Sequence, residues 1–321
     1  MKAIRVHEYG GPGNMRLEEV ADLSPGPRQL VIAVKAAGVN PIDTYIRSGT
    51  YAKKKPPLPY TPGFDAAGTV ETAGSEVRRF KPGDRVYINA NISGAYAEKT
   101  LCEEDSVFPL SEHLSFAQGS GVWVPYATAH QALHMVARAQ AGETVMVHGA
   151  SGGVGSACVQ TARAMGLRVI GTAGTEKGRD MLLTLGVHAA LDHHAQDLTT
   201  RVLNVTEGRG PDIIVEMLAN VNLGRDLGMI AHRGRIVVIG NRGTIEINPR
   251  DAMSKDATIH GMLLLNATAE ETLRISAGLA AGLENKTLNP IVGRQYPLDQ
   301  AAKAHEDVMS PGALGKIVLI P

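Results

Sequence analysis

The sequence predicts an α/β protein with two domains, one β-rich and one built on a doubly wound parallel sheet. Three observations support this prediction. The chain has 321 residues, which is more than a single hydrophobic core usually organises. Its first part reads as short strands separated by turns rich in Pro and Gly, whereas strands and helices alternate from Phe116 to about Gly261, as in βαβ units.

The β-rich part is divided by turn signals such as Pro25-Gly26-Pro27 and Lys81-Pro82-Gly83. Short apolar or alternating segments between such turns are typical of strands. The predicted strands are Met1–His7, Leu30–Ala37, Gly68–Ala73 and Asp84–Ile88.

The middle part alternates apolar runs of strand length with segments of helical periodicity. This order predicts a parallel sheet whose strands are joined by helices. The predicted strands are Thr144–His148, Arg168–Thr172, Ala189–Asp192, Asp212–Glu216 and Arg235–Gly240, and the predicted helices are Val154–Met165, Lys177–Leu185, Asp197–Thr206 and Leu223–Ile230.

The tail contains an amphipathic helix over Ala269–Leu283 and a final strand over Gly315–Ile320. Because this strand ending resembles the first part, we expect the tail to return to the first domain. The predicted domains are residues 1–120 together with 262–321, and residues 121–261 as an insert.

Charge and cysteine content exclude several classes of function. Lys and Arg number 32, as do Asp and Glu, so the formal net charge is zero and provides no long-range field for a nucleic acid or an anionic membrane. The basic run Lys53-Lys54-Lys55 is interpreted as a solvated loop. We expect neither a membrane span nor a secretory signal. The two cysteines, Cys102 and Cys158, cannot build a disulfide framework, so a reducing, cytoplasmic location is expected.

A glycine-rich turn is the strongest motif in the chain. The residues from His148 to Gly155, HGASGGVG, follow an apolar strand and open a helix, which is the context of a dinucleotide fingerprint. A diphosphate on a helix N-terminus needs free N–H groups and a close approach to the backbone, which Gly152 permits. Ala150 stands where the first glycine of G-x-G-x-x-G usually stands, so the fingerprint is a variant.

The second strand of the middle part lacks the acid that binds the ribose 2′-hydroxyl of NAD. No Asp or Glu lies between Gly155 and Glu176. Because a carboxylate would repel a 2′-phosphate, its absence favours NADPH as the cofactor. Lys177 offers a cation to that phosphate, although a lysine at the start of a surface helix is the alternative interpretation.

Six segments spread over essentially the whole chain are similar to one family. They are Val39–Tyr51, Leu58–Gly63, His148–Gly155, Gly171–Thr175, Glu216–Leu223 and Arg242–Asp251. The chain resembles the zeta-crystallin family of NADPH:quinone reductases, in the zinc-free branch of the medium-chain dehydrogenase/reductase superfamily. This resemblance implies a GroES-like catalytic domain, a Rossmann domain, an active site in the cleft between them, and homodimers or homotetramers.

The resemblance also implies a set of cofactor contacts. The family more often has serine where Asn241 stands, and related bacterial reductases can have tyrosine where His193 stands. The implied contacts are Tyr45 at the nicotinamide, Ser151, Gly152, Gly153 and Val154 at the diphosphate, Gly174, Lys177 and His193 around the adenosine ribose and its phosphate, and Asn222, Ile239, Gly240, Asn241 and Arg242 at the far strands.

The zinc-binding branch of the superfamily holds its metal with Cys, His and Cys or Asp side chains. Here Asn40 stands where the first Cys is expected, and Phe64 stands where the His of a Gly-His-Glu motif is expected. The segment near Trp123 contains no cysteine. The sequence therefore predicts that no metal is bound.

Without a metal to stabilise an alkoxide, reduction of an electron-poor acceptor such as a quinone is the better chemistry. Tyr45 is predicted to donate a hydrogen bond to the acceptor carbonyl, and Asn40 to orient the substrate or a water. The alternative role of Tyr45 is packing against the cofactor ring. Tyr51 and Tyr126 are weaker candidates.

Two other functions stay open. The same fold and cofactor serve a 2-alkenal or enoyl reductase, which adds hydride to a carbon–carbon double bond. Relatives resembling this chain also act as RNA-binding or structural lens proteins that keep NADPH affinity. Balanced charge and an aromatic content of only 4% argue against nucleic acid as a partner, so a small-molecule substrate is expected.

Overall fold

The computed structural model describes residues 1–51 and 55–321, so Lys53 and Lys54 of the basic run lie outside the described residues. The strands are β1 Lys2–Val6, β2 Met15–Glu19, β3 Gln29–Val39, β4 Asp65–Ala73, β5 Arg85–Ile88, β6 Lys99–Glu103, β7 Val107–Pro109, β8 Thr144–Val147, β9 Arg168–Thr172, β10 Ala189–Leu191, β11 Ile213–Glu216, β12 Arg235–Val238, β13 Thr258–Gly261, β14 Val292–Pro297 and β15 Lys316–Ile320.

Helices alternate with these strands, mainly in the second half of the chain. They are α1 Pro41–Ser48, α2 Phe116–Gly119, α3 Thr128–His130, α4 Gly153–Ala164, α5 Glu176–Thr184, α6 Leu198–Val205, α7 Ala219–Met229, α8 Pro249–Met253, α9 Ala269–Glu284 and α10 Ala301–Met309. None of the helices in the described ranges has both the length and the apolar character needed to cross a membrane.

The chain divides into two compact units, one formed by Met1–Val124 with Pro290–Pro321 and the other by Pro125–Asn289. In the first unit the larger sheet is mainly antiparallel, with the order β14-β15-β3-β4-β5-β7 and with β6 paired to β3, and β1 pairs with β2 in a separate two-stranded sheet. The final strand, β15, pairs antiparallel with β3. The end of the chain therefore returns to the first unit.

The second unit contains a parallel sheet, with the described strands in the order β10-β9-β8-β11-β12-β13. The order runs outward from β8 in both directions, which is the arrangement of a doubly wound fold. The central strands β8 and β11 are buried along their whole length, as expected for strands that are covered on both faces. The predicted α/β fold class is thus confirmed.

Helix α9 lies in the second unit, whereas the sequence assigned residues 262–321 to the first domain. A methyl group at Gly278 of α9 would lie 2.6 Å from His130 Nε2, so this helix packs closely on the helical segment that follows Pro125. Amphipathic periodicity shows that a helix has a buried face, but it does not show which core covers that face. The domain boundaries themselves stay a prediction.

Candidate functional site

The predicted diphosphate loop lies at the carboxyl end of β8. Helix α4 begins at Gly153, and its N-cap residue, Gly152, has extended backbone angles and makes no side-chain cap hydrogen bond. By contrast, Thr175 caps α5 by accepting a hydrogen bond from the Gly178 N–H. The first N–H groups of α4 therefore have no capping side chain, which is the condition for binding an anion there.

The glycines of this loop allow close packing of backbone on backbone. Gly149 has a φ of 54°, in the left-handed region that glycine adopts without strain. A methyl group at Gly155 would lie 2.2 Å from the Gly149 carbonyl oxygen and 2.6 Å from Ala150 Cα. Ala150 is completely buried, so the variant residue of the fingerprint turns its methyl group into the protein.

The residues predicted around the adenosine ribose lie after β9 and β10. A side chain at Gly174 would meet His193, because a methyl group there would lie 2.6 Å from His193 Nε2. The structure thus brings Gly174 and His193 together. Burial, with a further contribution from His194, lowers the pKa of His193 to about 4. The imidazole is therefore neutral at pH 7, whereas Lys177 is exposed in the first turn of α5.

Of the residues predicted at the far strands, Ile239, Gly240, Asn241 and Arg242 follow β12, and Asn222 lies in the first turn of α7. A methyl group at Gly240 would lie 2.1 Å from the Met217 carbonyl oxygen. Asn220 was not predicted, but it joins both sides of this loop: its N–H donates to Asn241 Oδ1 at 3.0 Å, and its Oδ1 accepts from the Arg242 N–H at 2.9 Å.

A buried cluster of titratable side chains, His148, Glu216 and Asp226, lies at the base of this region and was not predicted. His148 Nε2 is 2.8 Å from Asp226 Oδ1 and 3.4 Å from Glu216 Oε2. Glu216 Oε1 accepts from Asn222 Nδ2 at 3.1 Å, and Arg225 donates to Asn222 Oδ1 at 2.9 Å. The cluster therefore fixes the amide of Asn222, a predicted cofactor contact.

The same three side chains offer metal-ligand atoms within 4.8 Å of one another. Burial raises the pKa of Glu216 and that of Asp226 to about 7 and lowers the pKa of His148. A carboxyl with a raised pKa keeps its proton to a higher pH, so His148 and the two carboxyls are placed to share protons at 2.8 and 3.4 Å. We interpret the cluster as a proton-sharing network, and the absence of a metal stays a prediction.

In the first unit, Asn40 is the N-cap of α1, a helix that the sequence interpretation missed. The Asn40 N–H donates to Asp43 Oδ2 at 2.8 Å, Pro41 occupies the first turn, and Gly49 ends the helix with a φ of 77°. Asn before Pro, an acid three residues later and a closing Gly are the signals of a helix start and stop. These signals were present in the sequence.

The Asn40 side chain is buried, with 2% of its surface exposed. Its Nδ2 donates to Asp65 Oδ2 at 3.0 Å, and its Oδ1 accepts from Lys316 Nζ. Both ends of the amide are thus occupied by other side chains of the first unit. The predicted contact between Asn40 and a substrate stays a prediction that this burial does not favour.

Tyr45 lies one turn further along α1 and is half-buried. Its carbonyl oxygen accepts hydrogen bonds from Ser48 Oγ, the Thr50 N–H and the Tyr51 N–H at 3.0, 3.1 and 3.2 Å, so its backbone position is fixed. The weaker candidate Tyr126 is 1% exposed and donates to Gln160 Oε1 at 3.0 Å, which leaves no surface for a ligand.

A cavity of about 370 Å³ lies beside α1 in the first unit. Much of its wall is apolar or aromatic and includes Ile46, Tyr60, Phe64 and Ile92. A cavity of this size and lining suits a small ring compound.

Comparison with known proteins follows the division into two units. Residues 26–138 match the alcohol dehydrogenase GroES-like domain family, and residues 153–278 match the zinc-binding dehydrogenase family. Human quinone oxidoreductase is 48% identical over 322 residues, a match that covers 100% of this chain and 98% of the human protein. The chain belongs to the quinone oxidoreductase family.

Other members and neighbours of the quinone oxidoreductase family agree with this assignment. The Escherichia coli quinone oxidoreductase, solved in complex with NADPH, has a TM-score of 0.89 and 29% identity, with 100% of each chain covered. A 2-haloacrylate reductase from a Burkholderia species is 30% identical and covers 99% of this chain and 98% of its own length. The resemblance inferred from the six sequence segments is confirmed.

Proposed function

We propose that this chain catalyses the NADPH-dependent reduction of quinones. The observation that carries the proposal is the α4 N-terminus, which has no capping side chain, in a chain that matches quinone oxidoreductases over its whole length. Bound NADPH supplies the hydride. The protein supplies binding, orientation and hydrogen bonds.

The second unit is proposed to hold the cofactor. The free N–H groups of the α4 first turn bind the diphosphate, and Lys177 provides the charge for the 2′-phosphate because His193 is neutral at pH 7. The complete proposed set is Ser151, Gly152, Gly153 and Val154 at the diphosphate, Gly174, Lys177 and His193 at the adenosine ribose, and Asn222, Ile239, Gly240, Asn241 and Arg242 at the far strands, with Tyr45 at the nicotinamide.

The first unit is proposed to position the acceptor. Tyr45 donates a hydrogen bond to the acceptor carbonyl, where negative charge develops during reduction. Asn40 is the N-cap residue of α1, where its N–H donates to Asp43 Oδ2, and its buried amide is hydrogen-bonded to Asp65 and Lys316. Ile46 of α1, Phe64 and Ile92 line an apolar wall that would take the ring, and Tyr45 is not part of that wall.

A turnover panel tests this function. Loss of nicotinamide absorbance is followed with NADPH and with NADH against an ortho-quinone, a para-quinone and a 2-alkenal. We expect the highest kcat/KM with NADPH and a quinone. A preference for NADH would contradict the role of Lys177, and a lack of affinity for either nucleotide would overturn the proposal.

The second candidate function is reduction of an activated carbon–carbon double bond, favoured by the likeness to the 2-haloacrylate reductase. Both functions need the same cofactor unit, so only the acceptor separates them. A kcat/KM for the 2-alkenal that exceeds the values for both quinones would select this candidate.

We also propose that the chain forms a homodimer or homotetramer. Strand β13 ends the parallel sheet, and Ile259 on it is 38% exposed. An exposed strand edge pairs readily with the same edge of a second copy.

A cytoplasmic location is proposed as well. Cys102 and Cys158 are free and buried, and burial raises the pKa of each thiol to about 12. Two separate unreactive thiols are typical of a protein in a reducing compartment.

A further inference from the structure

A buried ion pair lies beneath the N-terminus of α1. Lys316, the first residue of β15, is 4% exposed, and Asp65, the first residue of β4, is 1% exposed. Lys316 Nζ is 2.8 Å from Asp65 Oδ2 and also donates to Asn40 Oδ1, while Asn40 Nδ2 donates to the same Asp65 oxygen at 3.0 Å. The three side chains form a closed triangle of hydrogen bonds.

The surrounding backbone is arranged to accept this pair. The second carboxylate oxygen of Asp65, Oδ1, accepts from the Val124 N–H at 3.0 Å. A methyl group at Gly38 would lie 2.6 Å from Lys316 Cε and 2.1 Å from the Ser120 carbonyl oxygen, so glycine in β3 leaves the space that the lysine chain occupies. Both oxygens of the buried carboxylate are therefore paired, as a buried charge requires.

The triangle is connected directly to α1. Asn40 caps this helix, and the Asn40 N–H donates to Asp43 Oδ2, which also accepts from the Tyr96 hydroxyl at 3.0 Å. Asn40 is thus bonded to the first turn of α1 through its backbone N–H and to the ion pair through its side chain. Tyr45 lies on the next turn of this helix.

We propose that Lys316 and Asp65 are positioning residues for quinone reduction, because they lock the Asn40 amide and thereby hold α1 and Tyr45 in one place. This inference rests on the proposed function. Well-packed apolar residues often replace a buried ion pair without loss of stability. We therefore infer that the charges of Lys316 and Asp65 fix the position of α1 rather than add to the stability of the protein.

Two variants and a control test the proposal. Lys316→Met removes the ammonium and leaves Asp65 buried without its charge partner. The double variant Lys316→Met/Asp65→Leu removes both charges, at the cost of the acceptor for the Val124 N–H. Lys303→Met, on the exposed face of α10, is the control for loss of a lysine from the same unit. Thermal unfolding, NADPH binding and quinone kinetics are measured for each.

We expect Lys316→Met to lower Tm on the order of 10 °C and to lower kcat with a quinone about 100-fold. The double variant recovers most of the Tm but not the kcat, since the Asn40 amide remains without its ammonium partner. The NADPH dissociation constant changes far less than kcat, because every proposed NADPH contact except Tyr45 lies in the second unit, and Lys303→Met behaves as wild type. If Lys316→Met does not fold, the double variant alone carries the test.

A double variant with the kcat of the wild type would show that the pair acts only in folding and would overturn the positioning role. A wild-type protein that reduces no quinone would overturn the proposed function and this inference together. The two failures are distinguished by the activity of the unmodified chain.

Discussion

At the scale of single residues, the proposed chemistry depends on Tyr45. Its ring is half-buried and its carbonyl oxygen is held by the loop that follows α1, so the side chain starts from a fixed backbone. Asn40, predicted as a second group at the substrate, is buried and hydrogen-bonded to Asp43, Asp65 and Lys316, and its contact with a substrate stays a prediction.

Tyr45→Phe separates the two roles considered for this side chain. It removes the hydroxyl and keeps the ring, so we expect kcat with a quinone to fall about 100-fold while the NADPH dissociation constant stays unchanged. Steady-state kinetics and fluorescence titration measure the two quantities. Wild-type turnover in this variant would assign Tyr45 to packing alone.

Lys177 is the residue on which the proposed preference for NADPH over NADH depends. Lys177→Ala removes the cation proposed for the 2′-phosphate, so the kcat/KM ratio of NADPH to NADH should fall about 10-fold or more. Glu176→Ala, in the same turn of α5, is the matched control and should leave the ratio equal or higher. An unchanged ratio in Lys177→Ala would return Lys177 to the interpretation as a surface lysine.

At the scale of elements, the cofactor loop depends on contact between α4 and the backbone of the preceding turn. Gly155 stands where any side chain would collide with the Gly149 carbonyl oxygen. The contact of this glycine is thus the backbone of the neighbouring loop, at Gly149 and Ala150.

Gly155→Ala should therefore lower the free energy of unfolding by about 1–3 kcal/mol and weaken NADPH binding. Gly224→Ala is the matched control in α7, where no atom lies within 4 Å of the added methyl group. There the alanine should stabilise the protein by about 0.5–1 kcal/mol. Urea denaturation measures both changes, and equal stability of the two variants would contradict the packing described for α4.

Prediction of elements from the sequence succeeded where periodicity was strong. The strand Arg168–Thr172 has the predicted bounds, and α4 is shifted by one residue at each end. Helix α1 was missed although its start and stop signals, Asn40-Pro41, Asp43 and Gly49, are present in the sequence. Strand β13 was missed because its residues are mostly exposed, so it lacks the apolar run that marks a strand.

At the scale of the whole molecule, the buried cluster makes stability depend on pH. Burial raises the pKa of Glu216 and of Asp226 to about 7, whereas both titrate near 4 in an unfolded chain. Between these values the folded state binds more protons, so the stability from these groups is lost as pH rises through 7. The pKa of His148 is lowered from its ordinary value of 6.5. Below that pH the unfolded chain binds a proton that the folded state does not, so stability is lost as pH falls.

Glu216→Gln removes one titrating group and keeps an acceptor for the Asn222 amide. We expect the fall in unfolding free energy between pH 5 and 7 to become shallower by at most about 1.4 kcal/mol per pH unit. Urea denaturation over this range measures the slope. Parallel curves for the wild type and the variant would show that Glu216 is ionised throughout.

Assembly is also a property of the whole molecule. Ile259→Lys places a charge on the exposed edge strand β13, and we expect it to convert the oligomer to monomers in light scattering after size-exclusion chromatography. Leu183→Lys is the control on α5, because Leu183 is 57% exposed and belongs to a helix rather than to the edge strand β13. A variant Ile259→Lys with the mass of the wild type would place the interface elsewhere.

By itself, the sequence determined the fold class and the family, and it predicted the cofactor loop. These predictions depend on local patterns. The patterns are the spacing of apolar residues, the glycines between β8 and α4, and the lack of Asp or Glu between Gly155 and Glu176. Such patterns act between neighbours in the chain, so they are readable without coordinates.

Only the tertiary structure decided which distant side chains share a buried space. Lys316 meets Asn40 across 276 positions of sequence, and His148 meets Asp226 across 78. Each of these residues looks ordinary in its own segment, since nothing local shows that it is buried or paired. Burial makes an unpaired charge costly. Because burial arises only when the strands and helices pack together, the hydrogen-bond networks between these distant polar residues form only in the folded protein.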